Sequence, residues 1–327
     1  MALFYLQISS VGRGAGRSAT QAAAYRAGER VRDERTGQLY NFTRRRDVLH
    51  TEIMVPERFA AQPLEWARSR ERLWNTAEHA EKRHNSLVAR EFQVVLPFEL
   101  QAPQRLALAR AFTREITERY GVVADLSIHE PRAGGDPRNF HAHILTTTRA
   151  VAPAGLGAKS GLDMRPLERR RHGLPDHRQE YVNVRERWAQ MTNDALREAG
   201  IEARVDHRSL AAQGIDREPQ PRIPIAHLKM ESRGERSELA ERLRAQYRER
   251  AERRRERSQG ARVAAAGEAS HGRGEHGAQA GVDLAEVRRQ ARTAWLALRE
   301  AARAPQEQAR THEMSGEPQV PENDLSG

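Results

Sequence analysis

Between residues 3 and 205, short runs of alternating apolar and polar residues interleave with amphipathic segments, and no repeat period joins them. This interleaving is the strongest constraint on the fold. A period of two buries one face of a strand and a period of 3.6 buries one stripe of a helix, so the two kinds of element must cover each other. Strands are read at 3–9, 48–55, 88–96, 122–128 and 141–148, with a short one near 201–205. Helices are read from Ser18 towards Gly37, over 63–84, over 103–119 with Gly121 as the stop, and over 180–199. The expected fold class is α+β, a sandwich in which a sheet carries helices on one face.

After about residue 230 the apolar periodicity fades, so the folded domain is read as 1–225. Residues 226–257 read as a basic helical extension, 258–281 as a Gly/Ala/Ser-rich flexible linker, 282–303 as a further helix and 304–327 as a disordered polar tail. The net charge of +10 favours a polyanionic partner such as nucleic acid. Only Lys82, Lys159 and Lys229 are lysines; the other cations are arginines, whose planar fork suits phosphate, although GC-rich coding DNA gives the same bias. There is no cysteine, which excludes thiolate metal sites, disulfides and cysteine nucleophiles. No apolar run approaches the length of a membrane span and the N-terminus lacks a signal-peptide pattern, so a cytoplasmic protein without membrane insertion is expected.

The sharpest chemical feature is His141-Ala-His143. Residues i and i+2 of a strand share a face, so both imidazoles point one way while Ala142 and Ile144 face a core. His129 ends the preceding strand, and the intervening loop contains Gly134, Gly135 and Pro137, so the chain can return and set His129 beside the pair. Three neutral imidazoles could hold a divalent ion and leave positions open for a substrate oxygen; two strand histidines can also be ordinary surface residues. In the run 88–97, Phe92, Val94 and Leu96 make one face and Glu91 and Gln93 the other. Glu91 could orient a histidine, accept a proton or be an edge charge. Tyr25 sits among Ala19, Ala22, Ala23, Ala24 and Ala27, and in isolation such a tyrosine is a packing residue.

Several long motifs, in order over most of residues 1–220, resemble MobA/MobL-type plasmid relaxases. The segment 16–30 (Gly-Arg-Ser-Ala-Thr-Gln-Ala-Ala-Ala-Tyr-Arg-Ala-Gly-Glu-Arg) is similar to that family's catalytic-tyrosine segment. Tyr40–Arg46, His50–Ile53, Ala89–Phe92 and Leu96–Leu100 fit the same pattern, as does Asp206–Ile215. The segment 128–149, beginning Ile-His-Glu-Pro-Arg-Ala-Gly-Gly-Asp-Pro-Arg-Asn-Phe-His-Ala-His, resembles its three-histidine motif throughout. The resemblance implies an HUH-endonuclease-like central antiparallel sheet with flanking helices. It puts Tyr25 in the nucleophile's place, His129, His141 and His143 in the metal ligands' places, and Glu91 at the acidic strand position. It implies nicking of one strand at a plasmid transfer origin with a divalent ion, Mg²⁺ or Mn²⁺ first, and a 5′-phosphotyrosine intermediate that can be religated. Accessory relaxosome proteins and a coupling protein are the partners it suggests.

Two rivals use the same residues: a rolling-circle replication initiator and a non-catalytic DNA-binding protein. A tyrosine ahead of the histidines favours the relaxase over the initiator, and the intact set of Tyr25, Glu91 and three histidines argues against binding alone. A water-using metallohydrolase is a third rival. Arg13, Arg17, Arg26, Arg44, Arg45 and Arg46 cluster near Tyr25 in sequence and are read as phosphate contacts. Gly155–Ser160 resembles a phosphate-binding loop but has Ala158 where the second glycine belongs, so no nucleotide cofactor is expected.

Overall fold

The computed structural model describes residues 2–132 and 134–271. In chain order the elements of the first compact unit, Met1–Gln220, begin with β1 (Leu6–Gly12), α1 (Ala19–Ala27), β2 (Arg30–Arg32), β3 (Leu39–Asn41) and β4 (Val48–Met54). They continue with α2 (Glu65–Arg68), α3 (Arg70–Ala80), β5 (Leu87–Val95), α4 (Ala102–Tyr120), β6 (Ala124–His129) and β7 (His141–Thr147). A hairpin of β8 (Arg149–Ala152) and β9 (Gly155–Lys159) follows, then α5 (Pro166–Arg171) and α6 (His177–Glu198). The second unit begins at Pro221 and contains α7 (Ile225–Ser232) and α8 (Glu238–His271).

Five strands form one antiparallel sheet in the order β1-β5-β7-β6-β4. Its even-numbered residues Phe92, Val94, Leu126, Ile128 and Ile144 pack under α4 and α6, whose Phe112, Ile116 and Trp188 complete one core. The opposite face is also covered: Val11, Ala89 and Leu145 pack with Ala19 and Ala23 of α1 and with Leu73 and Trp74 of α3. Helices therefore flank both faces, not one as the sequence suggested. The second core occupies only one end of its face. Polar residues hold the other end, and that break in the apolar pattern hid the fact that α1 and α3 cover this face.

Three local differences have clear causes. The helix opened by Ser18, whose hydroxyl accepts from the Gln21 amide at 3.1 Å, ends at Gly28 rather than near Gly37. Gly28 has φ +66°, and a Cβ there would lie 3.2 Å from Val48 Cγ2, so both backbone and space require glycine. The chain then makes the unforeseen β2–β3 hairpin. The 63–84 helix is two helices because Ser69 adopts an extended conformation and caps the second. No strand forms at 201–205; the Asn193 side chain instead accepts from Val205 N and donates to Val205 O, at 2.8 and 3.0 Å.

In the second unit, α7 and α8 are separate helices, and α8 runs through residue 258, where a linker was expected, to His271. The rest of that linker, the 282–303 helix and the 304–327 tail lie outside the described residues.

Candidate active site

The odd-numbered positions of the central strands build the polar end of the sheet. His129 and His141 are cross-strand partners, and His143 stands two residues along on the same face. The three imidazole centroids are 4.9–5.2 Å apart, and one ring nitrogen of each lies within 4.8 Å of the others.

Each ring is held by its other nitrogen. His143 Nδ1 donates to Glu91 Oε1 at 2.6 Å and His141 Nδ1 to the Asn139 carbonyl at 2.9 Å, which leaves both Nε2 lone pairs bare. His129 Nε2 donates to the Arg26 carbonyl at 2.7 Å, and its acceptor Nδ1 lies 3.4 Å from Arg45 Nη2. Burial, reinforced by the neighbouring His143 and Arg45, lowers the His129 pKa to about 3; burial lowers that of His141 as well. Neutral imidazoles with fixed N–H directions are what a divalent ion requires. The donor set thus fits a metal.

Glu91 is a buried carboxylate with both oxygens engaged. Arg26 donates to it twice, Nε to Oε1 and Nη2 to Oε2, each at 2.6 Å, and Ser9 Oγ lies 3.3 Å from Oε2. Burial alone would raise the Glu91 pKa; the hydrogen bonds from His143 and Arg26 outweigh it and hold the group ionised far below the usual carboxylate range.

Tyr25, on the last turn of α1, is 40% exposed and so open to a substrate. Phe42 packs edge-on against its ring at 5.2 Å, and the Arg45 guanidinium lies over the ring face at 4.2 Å. Arg132 Nη2 donates to the Tyr25 hydroxyl at 3.3 Å. The helix is anchored at its other end by the buried Glu78, whose Oε1 accepts from Ala19 N at 2.7 Å. A phenol with one guanidinium over its ring and a second at its hydroxyl can receive a group that carries negative charge.

The family model described as MobA/MobL matches residues 17–233. The chain belongs to the MobA/MobL family. It is 37% identical over 254 residues to mobilization protein MobL of Acidithiobacillus ferridurans, covering 71% of this chain and 65% of that one. To conjugal transfer protein TraA of Rhizobium radiobacter it is 32% identical over 262 residues, covering 73% of this chain and 23% of that one. The chain therefore spans under two thirds of one relative and under a quarter of the other. A solved structure described as the molecular basis of vancomycin resistance transfer in Staphylococcus aureus matches at TM-score 0.51 and 26% identity, over 64% of this chain and all of that one. The antiparallel sheet with His-x-His on its central strand is the HUH-type fold that the sequence motifs implied.

In this MobA/MobL domain, two of the arginines read as phosphate contacts turn inward. Arg13 is buried against Glu78, with Nη2–Oε2 at 2.7 Å, and also donates to the carbonyl of Glu81 at 2.6 Å. Arg26 is committed to Glu91. Both face internal acceptors that sequence proximity to Tyr25 could not reveal. Arg17, Arg44 and Arg46 are exposed, and Arg45 is half-buried on Tyr25. Sequence reasoning missed Arg132, Asp47 and Phe42. Arg132 lies inside the histidine motif, so its position was visible though its role was not. Gly155–Lys159 forms β9, and Lys159 Nζ binds Glu81 at 2.7 Å.

Proposed function

We propose that the chain is a conjugative DNA relaxase that nicks one strand at a plasmid transfer origin and can reseal it, with residues 1–225 as the nicking domain. The observation that carries this reading is an exposed tyrosine, contacted by two guanidinium groups, in the same domain as three histidines whose ring nitrogens lie within 4.8 Å of one another. Tyr25 Oη attacks the phosphorus of the scissile phosphodiester as its proton passes to solvent. The P–O3′ bond breaks, the leaving oxygen takes up a proton, and the 5′ phosphate stays on the tyrosine. Attack by the same 3′ hydroxyl reverses the exchange without ATP, because one phosphoester is traded for another.

A divalent ion on His129, His141 and His143, Mg²⁺ or Mn²⁺ first, would polarise a phosphoryl oxygen and stabilise the charge that builds in the transition state. Arg132 donates to the Tyr25 hydroxyl and sets a cation beside the attacking oxygen, where the phosphate would lie. Glu91 orients His143 through Nδ1 and keeps Arg26 in place; with both oxygens engaged it is a support for the site rather than the tyrosine's base. Exposed Arg17, Arg44 and Arg46 are the candidate phosphate contacts. The substrate is single-stranded or supercoiled plasmid DNA in the cytoplasm, with accessory relaxosome proteins and a coupling protein as further partners. Among the described residues no helix is long and apolar enough to cross a membrane.

The test mixes the protein and Mg²⁺ or Mn²⁺ with single-stranded oligonucleotides tiling the DNA beside its gene, with and without EDTA. An SDS-stable adduct mapped to Tyr25 by mass spectrometry, and abolished by EDTA, is the expected result. DNA binding that persists in EDTA, with no adduct from any oligonucleotide, would favour a binding-only protein. Cleavage that survives Tyr25→Phe would favour a hydrolase.

A further inference from the structure

The guanidinium of Arg45 touches four groups at once. Its Cζ lies 4.2 Å above the centroid of the Tyr25 ring, and Nη1 donates to the Tyr25 carbonyl at 2.7 Å. Nε donates to Asp47 Oδ1 at 2.9 Å, and Nη2 pairs with the other oxygen of Asp47 while lying 3.4 Å from His129 Nδ1. The hydrogen bond from Arg45 holds the Asp47 carboxyl down at about 2, so this partner is ionised at neutral pH. Phe42 packs against the tyrosine ring as well, nearly perpendicular to it.

From this geometry we infer that Arg45 is a positioning residue for Tyr25, holding the ring through its contacts with the ring face and the Tyr25 carbonyl, together with Phe42 packed against the ring, so that Oη keeps one orientation. The inference rests on the relaxase reading above and replaces, for this residue, the role of phosphate contact. Three features favour it. The side chain is only 13% exposed, against the open position a DNA contact needs. Its donors on both sides of the fork are committed within the protein. Finally, the guanidinium lies over the ring while its N–H groups bond to Asp47 and to the Tyr25 carbonyl, a set of contacts a lysine cannot copy. The hairpin β2–β3 brings Phe42 and Arg45 back over the end of α1, so a tyrosine on a freely accessible helix end keeps one orientation. As the hydroxyl proton leaves and charge spreads into the ring, the overlying cation also interacts with it more strongly.

The test compares the unaltered protein with Arg45→Ala, Arg45→Lys and Arg45→Gln, each with 3-fluorotyrosine at position 25, on an oligonucleotide containing the nick site. Small misplacement of a reacting group costs up to about a hundredfold in rate. Arg45→Ala should therefore form adduct about 10–100 times more slowly at saturating DNA, with the dissociation constant for DNA within about threefold of the unaltered protein. Arg45→Lys should recover little of this loss, and millimolar guanidinium chloride should restore part of the Arg45→Ala rate. The fluorine resonance should be single and displaced by the stacked cation in the unaltered protein, and should move towards the free-tyrosine position in all three variants. A loss found wholly in DNA affinity, or full recovery by lysine, would make Arg45 a phosphate contact and overturn the inference. An unmoved fluorine signal would overturn it too. If the unaltered protein forms no adduct, the relaxase reading fails, while the fluorine spectra still decide whether Arg45 orders the ring.

Discussion

Arg26 and Glu91 meet through two parallel hydrogen bonds, Nε to Oε1 and Nη2 to Oε2, both 2.6 Å long. Arg26 follows Tyr25 directly in the chain, and the same Oε1 accepts from His143. The residue beside the candidate nucleophile and a candidate metal ligand thus share one carboxylate. Removing the Glu91 charge should be felt at the histidines. Glu91→Gln should weaken Mn²⁺ binding by about 10–100-fold, measured by calorimetric titration. Unchanged affinity would show that Glu91 does not orient His143.

Tyr25→Phe removes only a hydroxyl at a half-open position. DNA affinity should stay within about twofold, in line with the small effect of surface changes, while the covalent adduct disappears. Gel shift and SDS electrophoresis on the same samples separate the two. An adduct persisting in this variant would move the nucleophile to another residue.

On the same face of the sheet, Asp125 takes two hydrogen bonds from Arg70 and one from Trp74 Nε1, at 2.8, 2.8 and 2.9 Å. Asp125 and Arg70 are both buried. Arg70→Ala strands the carboxylate without its cation, and should cost about 3–5 kcal/mol of stability. Urea unfolding should show a lower midpoint with an unchanged slope. A shift below about 1 kcal/mol would mean that water reaches Asp125.

Asp33, fully buried, links the β2–β3 hairpin to α1: Thr20 Oγ1 donates to Oδ2 at 2.6 Å and Thr36 N to Oδ1 at 3.0 Å. Burial works against its ionised form, but the hydrogen bonds from Thr20 and Thr36 win and its pKa falls below the usual 3.8. A depressed carboxyl pKa adds stability that is complete above the unfolded value and is lost as pH falls through the folded one. Metal-free protein should therefore lose stability below about pH 4, and Asp33→Asn should flatten that part of the curve while lowering stability at pH 7 by about 1–3 kcal/mol. Denaturant melts between pH 2 and 7 would check both. An Asp33→Asn curve parallel to that of the unaltered protein would remove Asp33 from the account.

A chain cut after Gln220 retains the first unit with all five sheet strands and every residue of the candidate site. It should nick oligonucleotides at a rate within about threefold of the full chain, since no element of the site is removed. A folded but inactive truncation would give the second unit a part in the reaction.

Much of this was legible in the sequence because strands record which way they face. Alternation around Ala142 and Ile144 placed His141 and His143 together, and Phe92 and Val94 put Glu91 on the polar side. The glycines of the 130–140 loop allowed the return that pairs His129 with His141. The illegible parts depend on contacts between distant segments. Nothing local to Arg13 or Arg26 says that Glu78 and Glu91 wait for them, so both read as free cations. The β2–β3 hairpin escaped because its strands are only three residues each, too short for a period to register. With it went Phe42 and Arg45 as neighbours of Tyr25. The single-face reading failed where the apolar pattern of the second face gave way to the site itself.

The acceptor that His129 uses on α1 is the Arg26 carbonyl, a part of the peptide bond and not of any side chain. Replacing Arg26 by any other amino acid, proline included, leaves that oxygen in the chain. A survey of substitutions would therefore register the Arg26–Glu91 pair and overlook the second tether beside it. Its strength would emerge only from changes that re-aim the end of the helix, such as a side chain at Gly28, or from an ester linkage after Arg26, whose carbonyl is a poorer acceptor. The helix that carries Tyr25 and the histidine cluster share a joint that sequence variation can bend but cannot delete.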